Sequence, residues 1–505
     1  MVLAIRLTVQ TLFRAKKIQL PFVRLHSGSL AGAMEPYQPS RHLGRHSIAP
    51  CGQSDEIPGA MPRSSLMAKR SLSSMKKSIS LLTTLFFCHG ALAGTMLDEQ
   101  SITSYVDSHS AEQVALLEKL VNINSGTDNV DGVVKVGDLM KAELEALGFD
   151  TRWHELPAGM NHAGSLVAVH DGNKSAKRIL LIGHLDTVFP ATSKFQEYSL
   201  IDGGKKAKGP GVIDDKGGLV TILYALQALK HSGALQDMNI SVVLVGDEEL
   251  AAKPTEISRE WLIAEAKRSD IALGFEFALS PNQALTERRG LSEWFLTSTG
   301  IDKHSATIFQ PETGFGAVYE SARVLDEIRS KLSGEQGLTI NPGLILGGAT
   351  AQEDVPSGQG TASGRKTTIA RIVSVHGDLR FSSEEQRSSA EARLQEIASH
   401  SLPQTHSELK IKAIMPVMVD RESNRKLLQA YSKVSQDLDG PALESAPSAE
   451  RGGADISYVN KYVTASLDGL GAWGQGAHSE NETIDLSSLP VVTKRAALFI
   501  SRYGK

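Results

Sequence analysis

At 505 residues the chain is long enough for several domains, and 41% hydrophobic with 22% charged residues is the balance of an ordinary soluble globular protein without internal repeats. The formal net charge of −4 is unevenly spread: residues 1–93 hold 12 of the 53 basic and 3 of the 57 acidic residues, and the remainder carries 41 against 54, a net of −13. An acidic body of this kind argues against nucleic-acid binding.

The N-terminal stretch has its own logic. Met75-Lys76-Lys77 is followed by the apolar run SISLLTTLFFCHG and then by Ala91-Leu92-Ala93, a small-x-small cleavage pattern before Gly94. This order predicts a secretory signal peptide over 75–93, and hence a periplasmic or secreted mature protein. The apolar run is shorter than the roughly 18 residues of a spanning helix and is interrupted by polar groups, so no membrane segment is expected in the mature form. Residues 1–74 are basic and without clear periodicity. They are expected to be a non-native or disordered leader, with Met75 or Met67 as the true start. Cys51 and Cys88, the two cysteines of the chain, both precede the cleavage point, which leaves no disulfide or thiol chemistry beyond it. Phe86-Phe87, rather than small residues, precede Cys88, which argues against a lipid anchor.

From Asp98 onward helical and strand patterns alternate. AEQVALLEKLVNI has helical spacing. VVKVGDLMKAELEALGFDTRWHEL reads as a helix ending near Gly148, followed by a strand. SLVAVH and RILLIGH are strands, GLVTILYALQALKHSG is a helix, NISVVLVGDEEL is a strand running into an acidic loop, and REWLIAEAKRSDIALGFE is a helix and then a strand ending at Glu276. Such alternation predicts a mostly parallel sheet covered on both faces. Near Leu291 the order changes to β-α-β-β-α-β, from LSEWFLTSTG through GAVYESARVLDEIRSKL and GLTINPGLILGG, across a polar Gly/Ser-rich loop at 348–366, to TTIARIVSVHGDLR, SSEEQRSSAEARLQEIASH and SELKIKAIM. That is a ferredoxin-like α+β unit. Because α/β patterning resumes with NRKLLQAYSKVSQ, the unit reads as an insertion. The expected boundaries are 94–289 and 414–505 for the two parts of the catalytic domain and 290–413 for the inserted one.

The polar residues fall where an α/β sheet places ligands, at the carboxyl ends of strands. His184 and Asp186 follow ILLIG, Asp214 and Asp215 precede a helix, Asp247-Glu248-Glu249 follow SVVLVG, Glu276 ends IALGFE, and His478 lies in a late loop. Two imidazoles with several carboxylates suit a pair of divalent metals, with one acid left unbound as a base. Taken singly, each has a plainer explanation: a satisfied polar pair, a helix N-cap, a solvated acidic loop. Together, and in this order, they are much more specific.

The motifs GHLDTV, GPGVIDDKGG, GDEE, GFE and GAHSENE resemble those of the M20 metallopeptidases, most closely the glutamate carboxypeptidase-like branch, over roughly residues 98–505. The resemblance implies two divalent ions, zinc first with cobalt or manganese as alternatives. It makes His184, Asp214 and Glu276 ligands of one ion, with Asp214 bridging to a second held by Glu249 and His478. It also implies that Glu248 is the general base and that Asp186 orients His184. The inserted domain would be a lid and dimer contact, with His304 in STGIDKHSA reaching the active site of a second copy, and Asn341 and Arg380 holding a substrate carboxylate. One segment departs from the family pattern: Arg451-Gly452-Gly453-Ala454-Asp455 has Ala454 where a hydroxyl residue is usual, and Arg451 stands beside it as a candidate substrate contact.

The function expected from this resemblance is a homodimeric exopeptidase that cleaves a C-terminal amide of a small peptide or N-acyl amino acid and releases glutamate or a similar residue. A dipeptidase or an N-acyl-amino-acid deacylase is the alternative within enzymes. A non-catalytic metal- or peptide-binding protein is the alternative from another class.

Overall fold

The computed structural model describes residues 98–504. The predicted leader and signal peptide lie outside them. Among the described residues, no helix is long and apolar enough to cross a membrane.

The body is built on a six-stranded sheet of β1 (Asp150–His154), β2 (Ser165–His170), β3 (Arg178–His184), β4 (Asn239–Val245), β5 (Ile271–Gly274) and, late in the chain, β12 (Ala465–Leu467). The spatial order is β1-β2-β4-β3-β5-β12. Strands β4, β3, β5 and β12 run parallel, and β1 and β2 add an antiparallel edge. The sheet is therefore mixed, with the expected parallel centre.

Strand β3 shows why a continuous apolar run is needed there. Ile179 and Leu181 point into one core, with Leu219, Ile222 and Leu223 of the helix Lys216–His231 and with Val492, Ala496 and Phe499 of the last helix, Ser488–Tyr503. Leu180 and Ile182 point the other way, onto Leu262, Ala266, Ile456 and Val459. Alternate side chains serve opposite faces, so a strand covered on both must be apolar at every position. Each such burial contributes roughly 1.5–3 kcal/mol. The helix Val130–Leu147 ends as its sequence indicates: Gly148 takes φ of 95°, and its N–H and that of Phe149 bond back to Glu145 and Leu144.

The inserted unit holds β6 (Gly290–Gly300), β7 (Thr339–Gly348), β10 (Ile372–Phe381) and β11 (Thr405–Met415), all antiparallel in the order β7-β10-β6-β11. The helices Gly316–Leu332 and Glu384–Ser399 cover one face through Val324, Ile328, Leu394 and Ile397 against Trp294, Leu296 and Val375. This is the ferredoxin-like order. Where the chain leaves and re-enters the body, the N–H groups of Arg288 and Met418 each donate to the other's carbonyl at 3.0 Å.

Three details differ from the sequence reading. The polar stretch 348–366 is not an irregular loop: it contains a hairpin of β8 (Thr350–Asp354) and β9 (Gln359–Ser363), in which polar and small residues pair, such as Thr350 with Ser363 and Gln352 with Thr361. Strand β5 stops at Gly274, so Glu276 sits two residues beyond it, in the loop. A small four-stranded sheet of Ser199–Ile201, Lys206–Lys208, Gly474–Gln475 and Thr483–Asp485 gave no usable periodicity, because its strands are only two or three residues long.

Candidate metal centre

His184 is the last residue of β3 and is 2% exposed. Its Nε2 stands 3.1 Å from Asp214 Oδ1 and 3.6 Å from Glu276 Oε1. Its Nδ1 faces Asp186, 3.3 Å from Oδ1 and 3.1 Å from the backbone carbonyl. The other Asp214 oxygen, Oδ2, lies 3.0 Å from His478 Nε2, which is itself 3.2 Å from Glu249 Oε2. One carboxylate thus offers one oxygen to each of two imidazoles. The ligand-type atoms of His184, Asp214 and Glu249 fall within 4.8 Å of one another, as do those of His184, Glu248 and Glu276.

Asp186 is committed elsewhere. Its Oδ1 accepts from the Glu248 N–H at 3.0 Å, and its Oδ2 accepts from the Glu249 N–H at 3.1 Å and from the Thr127 hydroxyl at 2.6 Å. With those bonds and His184 Nδ1, the carboxylate joins the end of β3 to the turn carrying Glu248 and Glu249. Asp247 secures the same turn from behind. It accepts from the Ala252 N–H at 2.8 Å, the Ser258 hydroxyl at 2.5 Å and the fully buried Arg259 at 2.7 Å, and Arg259 also donates to Asp455 at 2.6 Å.

The Asp214 loop is fixed in a similar way. Buried Glu482 accepts from the N–H groups of Gly211, Ile213 and Asp214 at 3.0, 2.9 and 3.2 Å. Asp215 turns back under β3, where its Oδ2 accepts from the His184 N–H at 3.1 Å. A Cβ on Gly218 would lie 2.0 Å from Asp215 Oδ1 and 2.2 Å from the Phe275 carbonyl, which explains a glycine in the first turn of that helix. Gly183 is constrained likewise, with Asp215 Oδ2 2.8 Å from where its Cβ would be.

The electrostatics are those of crowded acids. Burial raises the pKa of Glu248, and the charge of Glu276 adds to it. Burial and Asp214 push Glu276 up to about 7 against the pull of Arg288. Burial acts upward on Asp214 too, but hydrogen bonds to His184 and His478 outweigh it and hold this carboxyl below its ordinary range. Burial opposes a charge on His184, yet Asp186 and Asp214 raise its pKa well above the usual imidazole value. Glu249 Oε1 is buried without a hydrogen-bond donor. Two imidazole nitrogens, several converging carboxylates and an unmatched buried oxygen are the donor set that divalent cations of the zinc type take.

The residues expected from the inserted unit are placed differently. His304 is exposed and caps a short turn, with its Nδ1 accepting from the Ala306 N–H at 3.2 Å. Asn341 is exposed on strand β7, opposite Asp378. Arg380 donates to Asp378 at 2.8 Å. Among the described residues, no hydrogen bond or ion pair joins any of the three to the cluster. Arg451, by contrast, donates to Glu276 Oε2 at 3.0 Å.

Sequence reasoning missed Thr127, Glu482, Arg288 and Arg259. Only Glu482 had a usable signal, since it ends the GAHSENE motif. A threonine or arginine that meets its partner through the fold leaves no local pattern.

An α/β sheet with an imidazole–carboxylate cluster at its strand ends and a ferredoxin-like insertion defines a metal-dependent hydrolase. Residues 180–502 match the model of peptidase family M20/M25/M40, and the chain belongs to that family. It is 28% identical to carboxypeptidase G2 of Pseudomonas sp. (strain RS-16) over 422 residues, covering 82% of this chain and 95% of that protein. Its fold matches aminopeptidase PepT of Bacillus cereus ATCC 10987 with a TM-score of 0.63 at 16% identity, over 78% of this chain and 99% of that one. It also matches the YXEP protein of Bacillus subtilis, a dinuclear metal-binding M20 peptidase, with a TM-score of 0.53 at 12% identity over 79% of this chain and 99% of that one.

Proposed function

We propose that the chain is a secreted di-zinc exopeptidase that hydrolyses a C-terminal amide and releases glutamate or a similar amino acid. The observation that carries this reading is the bridging geometry of Asp214, with one oxygen 3.1 Å from His184 and the other 3.0 Å from His478. His184 and Glu276 would hold one ion and Glu249 and His478 the other, with Asp214 shared. The likeness to a dinuclear peptidase supports two ions, and the N/O donor set supports zinc ahead of cobalt or manganese. Bound there, the ions would supply Lewis acidity toward the scissile carbonyl and the attacking water.

Glu248 stands beside that position with its pKa raised by burial and by Glu276, which suits a group that must take a proton and return it. It would accept the proton of the attacking water and hand it to the leaving nitrogen. Asp186 keeps Glu248 in place through its backbone N–H and sets the His184 tautomer, so that Nε2 faces Asp214. The likeness to carboxypeptidase G2 favours a carboxypeptidase. The signal-peptide pattern over 75–93 supports a periplasmic or extracellular site. An exposed His304 on the inserted unit accords with a homodimer in which that histidine serves the other copy's site.

The test is a hydrolysis panel on residues 94–505 with metal restored, comparing peptides ending in Glu, folyl-type N-acyl glutamates, other dipeptides and N-acetyl amino acids. Hydrolysis of the first two classes that vanishes in Glu248→Ala, with metal content kept, is expected. Preference for dipeptides or N-acetyl amino acids would select the dipeptidase or deacylase reading instead. Undiminished turnover in Glu248→Ala would remove that residue from the chemistry.

A further inference from the structure

A cavity of about 250 Å³ opens beside the cluster, lined by the acids Asp214, Glu248, Glu276 and Glu450 and by Arg288 and Arg451. Both guanidiniums are buried, Arg288 to 2% exposure and Arg451 to 6%. Both are incompletely matched. Arg288 donates from Nε to Asp468 Oδ2 at 2.5 Å and from Nη1 to the Gly452 carbonyl at 3.0 Å, but its Nη2 has no hydrogen-bond acceptor and lies 3.7 Å from Glu276 Oε2. Arg451 donates from Nη2 to Glu276, and its Nη1 has no acceptor.

Buried guanidinium N–H groups without acceptors are uncommon because each forfeits its hydration. Here both residues line one cavity and are held there. The Arg451 guanidinium lies 3.8 Å from the centre of the Phe277 ring, and Arg288 grips the carbonyl of Gly452, the next residue in the loop. The charges are also unequal. Asp468 balances Arg288, whereas the counter-charge of Arg451 is Glu276, an expected metal ligand. With Glu276 shared by a cation, Arg451 keeps a positive charge that a bound anion would neutralise.

We propose that Arg288 and Arg451 form a carboxylate subsite on the body domain, and that the substrate bears a free carboxylate close to the scissile amide. This rests on the hydrolase reading of the neighbouring cluster. The anion is met by residues already in place beside Glu248. Arg380, whose guanidinium is engaged with Asp378 on the inserted unit, is not required for it. The carboxylate is either the α-carboxylate of any C-terminal residue or the side-chain carboxylate of an acidic one.

The test uses metal-loaded mature protein and glutarate as a binding probe in calorimetry, alongside hydrolysis of N-acyl-Glu, N-acyl-Gln and N-acyl-Glu α-amide. Arg451→Gln is the main variant and Arg451→Lys the second, which keeps the charge if the first folds poorly. Expected are at least tenfold weaker glutarate binding in Arg451→Gln with unchanged metal content, a smaller loss in Arg451→Lys, and a rise in KM that exceeds any fall in kcat. A penalty on both the Glu and Gln substrates identifies the α-carboxylate as the partner; a penalty on the Glu substrate and its α-amide, sparing Gln, identifies the side chain. Glutarate binding within twofold of wild type in Arg451→Gln would overturn the subsite. So would loss of metal with unchanged carboxylate preference, which would make Arg451 a support for Glu276 alone. If no substrate is turned over but glutarate binding still depends on Arg451, the hydrolase reading fails and the subsite stands.

Discussion

Asp186→Asn is a close test of how the site is held together. The substitution preserves shape and removes one acceptor and one charge. In the native arrangement two carboxylate oxygens serve three donors: the Glu248 and Glu249 N–H groups and the Thr127 hydroxyl at 3.0, 3.1 and 2.6 Å. An amide can keep its oxygen toward Glu248, but its NH2 group then faces the Glu249 N–H. The Thr127 hydroxyl can turn and accept from that NH2; the backbone N–H cannot. One buried donor is left without an acceptor, at about 1–3 kcal/mol, and the charge assistance of the remaining bonds is lost, so the fold should be destabilised by about 2–4 kcal/mol. His184 Nδ1 also loses its anionic partner, and the loss of such an orienting contact typically costs about 10–100-fold in metal affinity or activity. Chelator-competition titration, thermal unfolding with and without added zinc, and kcat on the preferred substrate measure all three effects. Metal affinity and kcat both within twofold of wild type would refute the assignment of Asp186 as the residue that orients His184 and the base turn.

Related perturbations probe other parts of the frame. Gly183→Ala puts a methyl 2.8 Å from Asp215 Oδ2 and should disturb the bond from that oxygen to the His184 N–H, at about 1–3 kcal/mol and with weaker metal binding; urea unfolding and metal titration read both. Glu482→Gln places an NH2 against one of the Gly211, Ile213 and Asp214 N–H groups and should lower metal affinity while the inserted unit stays folded, as circular dichroism and chelator competition will show. In the inserted unit, burial acts to raise Glu320, but Arg323, the Leu402 N–H and Ser407 outweigh it and depress its pKa. A depressed folded value means that the stabilisation is fully present above the ordinary value of about 4.5 and is lost as pH falls below it toward the folded value. Glu320→Gln should therefore lower the melting temperature at pH 7 and flatten its decline on acidification, and an unchanged acid limb in differential scanning fluorimetry would remove Glu320 as its source.

What could be read from the sequence follows from the range over which each constraint acts. Strand β3 announces itself because both faces are covered, so every position must be apolar. The ligand-type residues announce themselves because they end such a strand, sit two to four residues beyond one, or lie in a glycine-containing loop. The hairpin at 348–366 was missed because an exposed ribbon of small polar residues lacks the alternation that a half-buried strand must have. Thr127, Arg288 and Arg259 were missed for another reason: each has a partner far along the chain, Asp186 at 59, Asp468 at 180 and Asp455 at 196 residues, and nothing local requires those residue types.

The same distinction bears on where specificity lies. Residues that hold the cluster lie in loops, but each is tied by several bonds: Asp186 to two backbone N–H groups, Glu482 to three, Asp247 to the Ala252 N–H, Ser258 and the buried Arg259. That redundancy fixes geometry and leaves little freedom for substrate choice. The loop 451–455 is different. It carries Arg451, and a Cβ on Gly453 would lie 2.0 Å from Met415 Sδ, at the point where the inserted unit rejoins the body. A change at Arg451 alters the charge facing the cavity without touching Asp186, Asp214 or Glu482, whereas Asp455 is bound to the Arg259 that secures the turn of Glu248 and Glu249. Substrate preference is therefore expected to move with Arg451 while the metal cluster stays as it is. Arg451→Gln should shift the ratio of kcat/KM between carboxylate-bearing substrates and their amides and leave metal affinity unchanged. A change in metal affinity without a change in that ratio would show that the loop belongs to the frame instead.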